Sequence, residues 1–305
     1  MSYETVLRDL ALADERIVVL TAENRAAIRG LPAVLGPRFL DVGIAEQTLI
    51  GASAGLALRG RIPVAHALAA FLTLRPFEFI RTDVGIPSLP VKLVGYVPGF
   101  LSEANGPTHQ ALEDVALMRA VPSMKVFAPA DEEDLALALP AILADPAPAY
   151  VRFSSRPAAV GHTEFEIGRA EIVREGEDAA LLTYGPLLRE AIEAAEILAA
   201  EGTHVRVVNL RTLKPVDEPA LLEAAGLPLL VTLEDHFASG GLRTVVAETL
   251  LGAGCTARLL PIDLGERWFK PALFADVLAR EGFTGPAIAA RIRTALDSPA
   301  PGGSR

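Results

Sequence analysis

The chain has a single cysteine in 305 residues, Cys255, which excludes an internal disulfide framework and any cysteine-based metal cluster. Its five histidines, His66, His109, His162, His204 and His236, are scattered and show no HExxH or similar metal spacing. No uncharged apolar run reaches the length of a membrane span, and residues 1–8 lack the basic start and apolar middle of a signal peptide. No basic stripe stands out against a net charge of -10, so neither nucleic acid nor membrane is an expected partner. Together these absences predict a cytoplasmic protein without a tight metal site of its own.

What is present is the composition of a folded protein: 51% hydrophobic and 22% charged residues. The length suits two domains, each with its own core. Short apolar runs alternate with longer helical stretches, the pattern of α/β layers around mostly parallel sheets. Strands are predicted at 17–21 (IVVLT), 38–42, 62–65, 91–97, 124–128 and 149–153, with helices at 3–13, 45–59, 74–83, 112–119 and 131–144.

A first domain is thus expected over 1–153. The stretch 154–168 (SSRPAAVGHTEFEIG) mixes proline, glycine and serine without a helical period and reads as a linker. A second α/β series is expected over 169–297, with strands at 179–183, 204–209, 229–233 and 257–262 and helices at 187–201, 219–225 and 241–251. A flexible tail is expected over 298–305.

The most informative segment is 41–60, DVGIAEQTLIGASAGLALRG. A strand leads through Gly43 into a helix rich in small residues, and Glu46 falls in its first turn. An acidic residue there also suits the positive end of a helix, which is the simpler explanation when the residue is taken alone.

Its neighbours point further. Gly43-Ile44-Ala45-Glu46-Gln47 resembles the GIAEQ signature of the transketolase family. The likeness continues in register through 106–114 (GPTHQALED), 207–215 (VVNLRTLKP) and Glu234-Asp235-His236 with Gly240-Gly241. Several ordered motifs at compatible spacing, over essentially the whole chain, are far more specific than one pentapeptide. The resemblance implies a pyrimidine-binding domain followed by a transketolase C-terminal-like domain.

It also implies thiamine diphosphate as cofactor, an electron sink once its thiazolium C2 proton is lost. In the family the aminopyrimidine performs that deprotonation, driven by a carboxyl group hydrogen-bonded to N1′; by resemblance that group is Glu46. Phe71 matches the stacking phenylalanine, four residues before Arg75, and an aromatic face suits a flat heterocycle; burial as an ordinary core side chain is the alternative. Leu68 stands where split transketolases often carry another phenylalanine. His109 matches a residue near the reacting carbonyl of the sugar, although a lone histidine is commonly structural. Arg156, or Arg152 with a one-residue shift, matches an arginine that binds the sugar phosphate; both could equally be linker arginines making surface contacts.

Two departures bear on substrate. Asn105 stands where the family has an aspartate before Gly-Pro-Thr-His, exchanging an anionic acceptor for a neutral donor and acceptor. A histidine that clamps substrate phosphate is missing, its place falling near Val97-Pro98. A specialised transketolase acting on a modified or non-phosphorylated sugar is the resulting expectation.

The family's diphosphate-binding Gly-Asp-Gly motif, which with an asparagine holds a divalent metal such as Mg²⁺, does not occur in the sequence. The resemblance therefore implies a separate diphosphate-binding subunit, an α₂β₂ heterotetramer, and a chain inert on its own. The β subunit of a 2-oxo acid or acetoin dehydrogenase E1 component shares the domain order, and a non-catalytic scaffold subunit is a third reading. The GPTHQALED segment favours transketolase over the E1 component, and joint retention of Glu46, Phe71 and His109 argues against the scaffold.

Overall fold

A computed structural model describes residues 2–298; the expected tail beyond Ser298 lies outside the described residues. The chain forms two α/β layers. The first comprises α1 (Tyr3–Ala13), β1 (Ile17–Thr21), α2 (Leu31–Leu35), β2 (Phe39–Asp41), α3 (Glu46–Leu58), β3 (Ile62–Leu68), α4 (Ala69–Leu74), α5 (Phe77–Phe79), β4 (Lys92–Tyr96), α6 (Asp114–Arg119), β5 (Lys125–Phe127), α7 (Glu132–Ala144) and β6 (Ala149–Phe153). The second comprises β7 (Glu171–Arg174), β8 (Ala179–Thr183), α8 (Leu188–Ala200), β9 (Val205–Asn209), β10 (Thr212–Lys214), α9 (Glu218–Ala225), β11 (Leu230–Leu233), α10 (Leu242–Gly252), β12 (Leu259–Ile262), α11 (Phe274–Glu281) and α12 (Gly285–Asp297).

The central strands are parallel and buried on both faces, which is why they read as β-branched apolar runs without polar alternation. In β1, Ile17 and Val19 face the layer of α1 and α7, whereas Val18 and Leu20 face Leu49, Ile50 and Ala54 of α3. Helix α1 begins where Ser2 accepts a hydrogen bond from the Thr5 N–H, and α7 where Asp131 accepts from Glu133 and Asp134. One core cluster runs from α3 through Met118 and Val126 to Tyr184, Leu221 and Val246, so apolar packing is continuous between the layers.

Seven strands form the first sheet in the order β10-β5-β6-β4-β3-β1-β2, and five form the second in the order β12-β11-β8-β9-β7. Strand β10 comes from the second half of the sequence yet pairs antiparallel with β5, and the Ala128 N–H donates to the Arg211 carbonyl beside it. The sheets therefore do not part at one point in the chain.

The departure from the sequence reading that bears on the site lies at 69–85. Strand β3 runs on to Leu68 and turns directly into α4, so the chain is already helical five residues before the expected start at 74. Pro76 interrupts it, and a wider π turn follows over Ile80–Gly85. This early start carries Phe71 to the end of the sheet.

Candidate active site

In the first sheet, β1 has β2 on one side and β3 on the other. The connection from β1 therefore runs to one side, to β2, and that from β3 to the other, to β4, opening a crevice beyond the carboxyl ends of β1 and β3, the usual ligand position in such sheets. Four segments converge there: Ala22–Asn24 after β1, Glu46 after β2, Leu68 and Phe71 at the end of β3, and the loop 97–110 after β4. Ala22, Glu23, Asn24, Ile44, Glu46, Leu68 and Phe71 line a cleft of about 200 Å³.

Glu46 is 3% exposed at the first position of α3. Both its carboxylate oxygens accept from Arg75 Nη1, at 2.9 and 3.1 Å. The same guanidinium lies over the Phe71 ring, 3.8 Å from its centroid. His109 approaches the Phe71 ring edge-on, with centroids 4.9 Å apart and planes at 64°. Its Nδ1 lies 2.9 Å from the Thr108 hydroxyl. Leu68, Phe71 and His109 are half-buried, as groups on the wall of a cleft are.

Two cleft residues carry no signal in the sequence, Glu23 and Asn24. Glu23 has a φ of 65° and is held by the Asp41 carboxylate, which accepts its N–H at 3.1 Å. The Asn24 side-chain amide nitrogen is enclosed with no hydrogen-bond partner, an uncommon condition for a buried donor. Across the rim, the loop after β4 carries two non-glycine residues at positive φ, Val97 (49°) and Glu103 (46°). A β-branched residue there is strained. Asn105 is exposed in this loop, and its carbonyl accepts from Thr108 at 3.4 Å.

The two arginines sit differently. Arg156 lies beyond β6 with its guanidinium 4.3 Å from the Phe274 ring centroid; Nη1 donates to Pro186 at 3.3 Å and to Glu190 at 3.5 Å. Arg152 is 1% exposed. Its Nε donates to Asp114 at 2.9 Å and its Nη1 to Asp235 at 2.8 Å, leaving it little capacity to greet a sugar.

His236 is also buried, between the layers. Its Nδ1–H donates to the Phe237 carbonyl at 2.7 Å, so Nε2 is free to accept the Ala116 N–H at 3.4 Å in the first turn of α6. The Phe237 N–H donates to the Leu112 carbonyl at 3.0 Å, and the Asp235 carboxylate packs against Gly99, where a β-carbon would collide with it. The segment after β11 thus braces the His109 loop from behind.

The sequence matches the transketolase pyrimidine-binding domain over residues 1–158 and the transketolase C-terminal domain over residues 168–288. The chain belongs to the transketolase family. It is 40% identical to the 6-deoxy-6-sulfo-D-fructose transketolase subunit SqwH of Clostridium sp. (strain MSTE9), over 94% of this chain and 91% of the relative. A putative transketolase C-terminal section from Methanocaldococcus jannaschii is 34% identical over 95% of this chain and 93% of its own. Among solved structures, a split gene transketolase described as an inactive beta4 tetramer superposes with a TM-score of 0.87 at 34% identity, covering 96% of both chains. The two-layer transketolase architecture expected from the motifs is the one observed.

Proposed function

We propose that the chain is the pyrimidine-binding subunit of a thiamine diphosphate-dependent transketolase, which transfers a two-carbon ketol unit from a ketose donor to an aldose acceptor. The observation that carries this reading is the meeting of a buried carboxylate, Glu46, with an aromatic face, Phe71, and an imidazole, His109, around one cleft. The donor set fits an aminopyrimidine: an acid for a ring nitrogen, a flat wall for the ring, and in Asn24 an enclosed donor without a partner.

When bound, the cofactor supplies an electron sink for carbon–carbon cleavage and formation. Glu46 holds a proton at the pyrimidine N1′. Phe71 and Leu68 wall the ring and keep water from it, and His109 stands beside Phe71 to hydrogen-bond the sugar near its reacting carbonyl. Arg156 and Asn105 are the remaining candidates for the distal end of the substrate. Arg152 drops out, since its guanidinium is engaged by Asp114 and Asp235.

The reading includes a separate subunit that holds the diphosphate and the divalent ion, and an α₂β₂ assembly; relatives of matching length named as a transketolase subunit and a transketolase C-terminal section support it. A subunit named for a sulfonated fructose at 40% identity, together with Asn105, supports a specialised sugar substrate. Units at 1–153 and 169–297 with a linker between them, and a cytoplasmic location, belong to the same reading; a single exposed cysteine suits a reducing compartment.

The test is Glu46→Ala and Glu46→Gln in the reconstituted pair. Loss of turnover by about two to four orders of magnitude is expected, and unchanged turnover rejects the role. Full turnover from this chain alone, supplied with cofactor and Mg²⁺, rejects the partner.

A further inference from the structure

Arg75 satisfies at once the two demands that an aminopyrimidine would make on this cleft. Its Nη1 occupies both oxygens of Glu46, and its planar guanidinium covers a face of Phe71. Because one guanidinium touches both groups, the covered face is the one within reach of Glu46. A ring stacked there and bonded to the same carboxylate cannot share the space. Among the described residues the Arg75 guanidinium has no hydrogen-bond partner besides Glu46; the backbone carbonyl of Arg75 accepts from Gln47 at 3.4 Å. Its side chain is 42% exposed, so it has solvent to swing into once those two contacts are given up.

We propose that Arg75 is an internal competitor for the cofactor's pyrimidine ring, one that sets the affinity of the subunit pair for thiamine diphosphate. This rests on the Glu46–Phe71 reading given above. A half-exposed ion pair and a cation–π contact at the surface are each weak. Their sum is small enough for the cofactor to displace, yet it lowers apparent affinity by the fraction of chains in which Arg75 holds the site. Arginine suits the task because it is both planar and cationic, whereas lysine matches only the charge.

The experiment is calorimetric titration of thiamine diphosphate, with Mg²⁺, into the reconstituted pair carrying wild-type chain, Arg75→Gln, Arg75→Lys or Phe71→Ala. Arg75→Gln is expected to bind roughly three- to tenfold more tightly than wild type, Arg75→Lys to fall between them, and Phe71→Ala to bind more weakly. Equal or weaker binding by Arg75→Gln, with Phe71→Ala still weakened, overturns the competitor and leaves the pyrimidine site standing. Binding indifferent to Phe71→Ala, or no binding by wild type, overturns the site and the competitor with it.

Discussion

Arg152 Nη1 and Asp235 Oδ1 lie 2.8 Å apart with neither side chain more than 1% exposed, one at the end of the first sheet and the other just past β11 of the second. The pair is completed by Asp114, whose Oδ2 accepts from Arg152 at 2.9 Å and from the Tyr150 hydroxyl at 2.6 Å. Asp114 opens α6, directly after the His109 loop. Removing one partner of a buried ion pair leaves uncompensated charge and costs about 3–5 kcal/mol. Asp235→Ala is therefore expected to lower stability by about that amount in urea unfolding. Asp235→Asn, which keeps a carbonyl oxygen for Arg152, is expected to lose less.

Two histidines act at opposite ends of the pH range. Burial lowers the His66 pKa to about 4, against weaker support from the Leu20 and Val64 carbonyls. The stability that depends on neutral His66 is complete above about 6.5 and is lost as pH falls through about 4. At His162, burial works downward too, but hydrogen bonds to Asp131 and Glu171 outweigh it and hold the pKa up at about 10. Its contribution is complete below about 6.5, declines above that, and is gone once pH passes about 10. Urea midpoints measured across pH should fall at both ends, and His162→Gln should flatten the alkaline limb alone.

His109→Asn separates a substrate contact from a structural one. The imidazole and the Phe71 ring meet in a T-shaped contact, and the Thr108 hydroxyl lies within hydrogen-bond distance of Nδ1. A fall in kcat/KM of about two to three orders of magnitude is expected, with thiamine diphosphate affinity changed less than in Phe71→Ala. Equal losses in cofactor binding for the two variants would make His109 a support for the ring wall.

Strong local patterning made much of the fold legible. The helix at Tyr3–Ala13 and the strands Ile17–Thr21, Ala149–Phe153 and Ala179–Thr183 fall where apolar runs and periodicity place them. What escaped depends on partners distant in sequence. Strand β10 is three residues long and exists because β5 lies beside it; β7 likewise pairs antiparallel with β9 at a sheet edge. Helix α12 is held by packing against α8 and β12, and α11 by packing against the segment Gly99–Asn105, partners remote in sequence. At the site, Glu46, Phe71 and His109 were named from motifs, while Glu23 and Asn24 sit in an unremarkable strand-to-loop turn. Arg75 was visible only as an arginine four residues after Phe71, a spacing that places two residues on one helical face. Arg152 shows the converse: no property of the sequence distinguishes a buried ion-pair arginine from one that waits for a phosphate.

The crossing of β10 into the first sheet means that a cut between the two matched domains is not a cut between two sheets. Severed within 154–168, the first half would keep every side chain of its cleft but would present the bare edge of β5, a row of unpaired backbone groups open to any passing strand. The second half would meanwhile carry a three-residue strand with nothing to pair against. Two domains that match separate family models share, in this chain, one sheet.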